Sequence, residues 1–286
     1  VQWQKATSLG TKNNILIICL DMVQQDFARD YFANSPERQS LFDGFVFFTN
    51  TASAAPSTRM SLSSIVRGKL FEGITTNADP NDNLLNDLFN YGYDVSSSKF
   101  LHERVAGGGR GSIIPASPIL SIEEQALDAV FLGTRRYIPF VLQLDRSSKN
   151  DIAYMSKLDE RDAFKMFINL LHIDEKIEKK FIWFHTLQTH GPVRFTKDGV
   201  YSLKLGYDDA YGEFEDGLNM VGDLISELKS LGAYDDTLIF AISDHGYGGL
   251  PEMKSLKPEQ KYLLKIINNS KESKHVVGRY QPMVMI

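Results

Sequence analysis

The sequence predicts an α/β fold, a mostly parallel central sheet with helices on both faces. Three observations carry that prediction. First, Asn14-Ile-Leu-Ile-Ile-Cys-Leu20, Phe181-Ile-Trp-Phe-His-Thr-Leu187 and Leu238-Ile-Phe-Ala-Ile242 are near-continuous apolar runs, the pattern of strands covered on both faces. Second, helical segments alternate with strands along most of the chain, as crossover connections require. Third, each run stops at polar chemistry: Asp21, His190, and the pair Asp244-His245. Open α/β sheets place their ligands just beyond the carboxyl ends of such strands.

Composition bounds the function. The chain has 286 residues, 43% of them hydrophobic and 23% charged, which suits a single globular domain near the size limit of one core. Its net charge of -5 argues against a general binder of nucleic acid or anionic membranes. A phosphate-bearing substrate is still compatible with that charge, because one bound metal can dominate a local field. With Cys19 as the single cysteine, no disulfide can form within the chain. No stretch approaches the roughly 20 apolar residues that span a bilayer, and no signal peptide is visible. The sequence begins at Val1 and ends on Met283-Val-Met-Ile286, and the reading expects one catalytic domain, 1–286, taken from a longer protein and lacking the C-terminal part of its fold.

Taken in order, residues 1–12 read as a polar lead-in. Asn14–Leu20 is the first strand and Gln25–Phe32 a helix. Gly44–Thr49 reads as a short aromatic strand, followed by a small-residue, proline-containing loop. From Thr58 the apolar positions Met60, Leu62, Ile65 and Val66 suggest a helix that Gly68 closes. Asn81–Asn90 is an amphipathic helix, and a strand follows Gly92. Ala106–Ser112 is glycine-rich but lacks the Gly-Lys-Ser/Thr of a phosphate-binding loop, so it reads as a mobile loop. Ser121–Leu132 and Asp159–Leu171 are read as helices, with a strand at Tyr137–Gln143 between them. In Tyr207–Leu231, Phe214, Leu218, Val221, Leu224, Ile225 and Leu228 fall on one helical face. Gly232 then closes the helix before the strand from Thr237. A helix near Pro258–Asn268 and a last strand, Gln281–Ile286, complete the chain.

The candidate site residues each have a plainer reading beside the functional one. Asp21 could be a helix cap or loop acid, yet an acid at the end of a buried strand is costly unless something binds it. Thr58 sits at a helix N-terminus, where backbone N–H groups and the dipole favour anions, but Ser57 or Thr58 would also serve simply as the cap. Asp244-His245-Gly246 could be a turn; an acid beside an imidazole is equally a metal pair. His190, before Gly191-Pro192, is at a turn and need not be buried. His185 lies inside its strand and reads as a satisfied core histidine.

Together these stretches resemble the alkaline phosphatase/sulfatase superfamily. Asn14–Asp21 is similar to its opening strand, Thr58–Gly68 to its nucleophile helix, Phe184–Pro192 to its substrate-histidine strand and Tyr234–Gly246 to its metal strand, in the family's order. Carried over residue by residue, the resemblance implies that Asp21, Thr58, Asp244 and His245 hold one divalent metal (Mn, Mg or Zn, or Ca if the chain is sulfatase-like). It implies Thr58 as the nucleophile, Arg59 and His190 as contacts to the charged group of the substrate, and His275 as a further candidate for that pocket. Sulfatases carry Cys or Ser in a Cys/Ser-x-Pro-x-Arg motif and oxidise it to formylglycine; Thr58 cannot be so converted and position 60 is Met, not Pro. Alignment on Pro56 would put Ala54 at the nucleophile position, but Thr58 has the right spacing to Gly68. A threonine nucleophile resembles lipoteichoic acid synthases and phosphoethanolamine transferases.

The resemblance therefore implies a phosphoester hydrolase or phosphotransferase passing through phospho-Thr58. Its substrate would be a small-molecule, lipid or glycan phosphoester rather than nucleic acid. It also implies an extracytoplasmic setting, with any membrane tether outside this chain. Two alternatives stay open: hydrolysis of sulfate esters with unmodified Thr58, and a catalytically inactive binding module.

Overall fold

The computed structural model describes residues 2–33, 36–69, 82–104, 110–115, 160–202, 204–206, 209–248 and 279–286. In chain order the elements are α1 (Gln2–Ala6), β1 (Ser8–Leu9), β2 (Asn14–Leu20), α2 (Gln25–Ala33), α3 (Pro36–Leu41), α4 (Thr58–Arg67), α5 (Leu84–Asn90), β3 (Asp94–Ser98), α6 (Lys99–Arg104) and β4 (Ser112–Ile114). They continue with a helix over 160–169, α7, then β5 (His172–Ile173), β6 (Lys180–Thr186), α8 (Ala210–Ser230), β7 (Thr237–Ile242) and β8 (Val284–Met285).

Six strands form one sheet in the order β4-β3-β6-β2-β7-β8. All neighbours are parallel except β7 and β8, which run antiparallel. This is an α/β architecture with a mostly parallel central sheet. Its central strands carry apolar residues on both faces because both faces are covered. Leu16, Ile18 and Leu20 of β2 join Ile182, Phe184, Ile239 and Ala241 in a core with α7 and α8. Ile17 and Cys19 point the other way and join Phe181, Trp183 and Ile242 in a second core with Leu62 and Val66 of α4, Leu85 of α5 and Leu101 of α6.

The apolar face of α8 is buried as its periodicity predicts, from Phe214 to Leu228. Each such side chain contributes roughly 1.5–3 kcal/mol on burial. α8 ends in a Schellman turn: Gly232, at φ +68, donates to Lys229 O (3.1 Å), and Ala233 donates to Leu228 O (2.9 Å). The same closure ends α4, where Gly68 at φ +62 donates to Ile65 O (3.3 Å) and Lys69 donates to Ser64 O (3.2 Å).

Three expectations change. Residues 1–12 are no lead-in: Trp3, Ala6 and Leu9 are buried in the core, and β1 pairs in parallel with β5. The aromatic strand at Gly44–Thr49 shrinks to a single bridge, Phe47 with Met285, flanked by bonds from Val46 N to Ile286 O (2.7 Å) and Phe48 N to Val284 O (3.0 Å). Val46 and Phe48 remain exposed, so the segment is a loose edge to β8. In α4 the buried positions are Ser61, Leu62, Ser64 and Val66, while Ile65 is exposed; the Ser61 hydroxyl donates to Ala55 O at 2.7 Å. The helices expected at 121–132 and 258–268, the strand at 137–143, most of the glycine-rich loop and His275 lie outside the described residues.

Candidate active site

The carboxyl ends of β2, β6 and β7 lie side by side, because Cys19 is in register with His185 on one flank and with Ile242 on the other. Asp21 leaves the end of β2, and Ser243-Asp244-His245 leaves the end of β7. All three of Asp21, Asp244 and His245 are buried. Asp21 is thus neither a cap nor a surface loop acid. α4 brings Thr58 in from the second face. Ser57 is the cap of that helix, makes no side-chain capping bond, and leaves Thr58 as the first helical residue. The Thr58 hydroxyl is spent otherwise: Oγ1 lies 3.2 Å from Asp21 Oδ2 and 3.2 Å from His245 Nε2. The cap reading of Thr58 is therefore overturned, since a capping hydroxyl would turn back to its own helix.

The tautomer of His245 follows from its other nitrogen. Nδ1 donates to Gly246 O at 2.8 Å, which leaves the Nε2 lone pair facing the site. Nε2 lies 3.4 Å from Asp244 Oδ2 and 3.9 Å from Asp21 Oδ1. Asp244 Oδ1 accepts from Met22 N at 3.2 Å, and Met22 holds a left-handed φ of 67 to aim that donor. The remaining oxygens, Asp21 Oδ1 and Asp244 Oδ2, are buried and accept no hydrogen bond among the described residues. A buried acceptor without a donor is expensive.

Electrostatics push the two acids apart. Burial opposes ionisation of Asp21, but the hydrogen bond from His185 and the electrostatic influence of His185, His190 and His245 outweigh it and hold its carboxyl below the ordinary range. Asp244 moves the other way, raised by burial and then by the charge of Asp21. Burial also pushes the Cys19 thiol, beneath the site, up to about 11. The donor set fits a divalent cation: Asp21, Asp244 and His245 each offer one ligand atom, all within 4.8 Å of one another. A cation there would satisfy both orphaned oxygens and remove the repulsion between the acids.

Of the other sequence candidates, His190 is half-buried, donates from Nδ1 to Gly191 O at 2.6 Å, and is near enough to act on Asp21. Arg59 is on the exposed side of the first turn of α4. His185 is the residue that sequence reasoning undervalued. It is buried, as a core histidine should be, but what satisfies it is Asp21 Oδ2, 3.2 Å from Nε2. Its one legible signal was its position one residue short of the end of the strand. Arg279 also reaches this neighbourhood: its Nη1 donates to Pro56 O at 3.1 Å, just before Thr58.

The fold and this cluster define an alkaline phosphatase-like α/β domain. The chain matches the Sulfatase family over residues 13–276 and belongs to that family, within the alkaline phosphatase/sulfatase superfamily. Among curated proteins nothing matches it. Several solved structures share its fold. The C-terminal periplasmic domain of the phosphoethanolamine transferase EptC from Campylobacter jejuni is 14% identical, with a TM-score of 0.52, over 96% of this chain and 79% of that one. The lipoteichoic acid synthase LtaP from Listeria monocytogenes is 13% identical, with a TM-score of 0.52, over 99% and 66%. The phosphonate monoester hydrolase of Agrobacterium radiobacter is 15% identical, with a TM-score of 0.51, over 96% and 68%.

Proposed function

We propose that this protein is a metal-dependent phosphoester hydrolase or phosphotransferase in which Thr58 is the nucleophile. The observation that carries the reading is the Thr58 hydroxyl, 3.2 Å from both Asp21 and His245, beside two buried carboxylate oxygens that lack donors among the described residues. One divalent cation, held by Asp21, Asp244, His245 and Thr58, would lower the pKa of the hydroxyl and polarise a phosphoryl oxygen. The chain does the rest. The hydroxyl proton leaves along the 3.2 Å contact to Asp21 Oδ2, because the cation would take the Nε2 lone pair of His245. The bond from Thr58 Oγ1 to phosphorus forms as the bond to the leaving oxygen breaks, and that oxygen takes up a proton from solvent to depart as the alcohol. The first-turn N–H groups of α4, with Arg59 and His190, stabilise charge on the equatorial oxygens. Water, or an acceptor alcohol, then releases phospho-Thr58.

The solved neighbours that act on phosphoethanolamine, lipoteichoic acid and phosphonate monoesters favour phosphorus over sulfur, and a lipid or glycan phosphoester substrate outside the cytoplasm. Thr58 adds to that preference, because it cannot become the formylglycine of a sulfatase. The test is metal content of the purified protein together with turnover of a bis-aryl phosphodiester and an aryl sulfate, with and without chelator. Bound metal and chelator-sensitive phosphodiester turnover, with an aryl-phosphoryl mass increment trapped on Thr58, are the expected results. Turnover of the aryl sulfate alone would move the reading to a sulfuric ester hydrolase. Neither metal nor turnover, after Mn, Mg and Zn are supplied, would leave an inactive module.

A further inference from the structure

The two oxygens of Asp21 are used differently. Oδ2 lies within hydrogen-bond reach of Thr58 Oγ1 and of His185 Nε2, each at 3.2 Å. Oδ1 takes no hydrogen bond among the described residues, is buried, and faces His245 Nε2 at 3.9 Å. A carboxylate only accepts, so the His185 nitrogen beside it carries the proton. His185 is itself fixed. It is 3% exposed, its backbone is in register with Cys19 in the middle of the sheet, and its N–H donates to Ser98 Oγ at 3.3 Å. Thr58 is a changeable partner, since its hydroxyl proton is shared between two acceptors and is lost in the proposed reaction. The partner of Oδ2 that stays in place is therefore His185.

We infer that His185 is a positioning residue: its Nε2–H pins Oδ2 of Asp21, so that Oδ1 alone is presented to the cation beside Asp244 and His245. This rests on the metal-site reading above. A carboxylate with a free rotation about its last bond could chelate through both oxygens or turn away; one pinned oxygen fixes a single-oxygen contact before the cation arrives. Removing such an outer partner of a ligand typically weakens metal binding by about 10–100-fold.

The test is calorimetric titration of the metal-free protein with Mn²⁺ and Zn²⁺, with melting temperature recorded for each metal-free variant. His185→Gln keeps an N–H at nearly the same reach as Nε2 and should bind within about 3-fold of wild type. His185→Asn is shorter and His185→Phe has no donor; both should bind about 10–100-fold more weakly. A histidine serving only the core would instead lower the metal-free melting temperature in all three variants and leave affinity unmoved, and that result overturns the inference. Equal losses in the Gln and Asn variants would overturn it too. If the Phe variant fails to fold, the Gln and Asn pair still decides. If wild type itself takes up neither metal, the metal-site reading falls first; if wild type binds and the variants match it, only the role of His185 falls.

Discussion

The two ends of the same three strands bury polar groups in opposite ways. At the amino end, Lys180 opens β6 with its side chain fully buried, and every contact it makes closes within the chain. Nζ pairs with Asp94 at the start of β3, donates to Lys5 O at 3.2 Å and reaches Ser8 Oγ at 3.5 Å. Asn14, at the start of β2, is equally self-contained: its Oδ1 accepts from Gly10 N (2.7 Å) and its Nδ2 donates to Gly10 O (3.0 Å). At the carboxyl end, Asp21 and Asp244 are just as buried but each keeps one oxygen without a donor among the described residues. Burial with complete pairing is structural; burial with a gap of one charge sign stores the need for a ligand. The gap, rather than burial itself, marks the functional end.

The largest expected effect falls on chemistry alone. Thr58→Ala should lose about 10³-fold or more in turnover while keeping fold and bound metal, read by steady-state kinetics beside metal analysis. Unchanged turnover would remove Thr58 as nucleophile.

Next, Asp244→Asn should weaken metal binding by at least about 100-fold, beyond the loss typical of outer partners. It should also raise the melting temperature of the metal-free protein, by about 1 kcal/mol in stability, because it removes a buried charge that Asp21 repels. A metal-free protein destabilised by this change would break the contrast between the two ends.

Lys180→Met should have the opposite sign, costing about 1–3 kcal/mol by leaving Asp94, Lys5 O and Ser8 Oγ without their shared donor. Denaturant titration checks it. The pH dependence is also specific. Burial holds Lys180 below its ordinary 10.5, so the unfolded chain keeps that proton more tightly. The stability contributed by Lys180 therefore rises with pH between its lowered folded value and 10.5, and the gap between wild type and Lys180→Met should widen from neutral pH toward about pH 10. A constant or shrinking gap would mean that pairing with Asp94 outweighs burial.

The smallest effect is at a helix end remote from both. Gly68 has φ +62 and open space around its missing side chain, so Gly68→Ala should cost only about 1 kcal/mol, the strain of the left-handed backbone. A much larger loss would mean that closure of α4 also governs the placement of Thr58.

Local chemistry explains what was legible beforehand. β2 falls at Asn14–Leu20 as read, because a doubly buried strand must be apolar on both faces. Asp21, Thr58, Asp244 and His245 stood out as polar residues at the ends of such runs or at the head of a helix, and the structure brings all four together. Gly44–Thr49 misled because aromatic residues carry strand propensity wherever they are, whereas pairing depends on the neighbour available, here only the short β8. Residues 1–12 misled because Trp3, Ala6 and Leu9 are too few to show a period, although β5 and the core claim them. His185 was read as core because burial and function look identical in a strand until its cross-strand partner is known.

The sequence by itself determined the α/β class, the central parallel strands, the closures at Gly68 and Gly232, and the residue types fit to hold a cation and carry a phosphoryl group. Those follow from periodicity, backbone stereochemistry and side-chain pKa, which act within a few residues of chain. Only the tertiary structure decided that Thr58 spends its hydroxyl on Asp21 and His245, that two carboxylates share one buried space with opposite shifts, and that His185 reaches Asp21. Those depend on register between strands more than a hundred residues apart, where the geometry is set by the packing of the whole sheet.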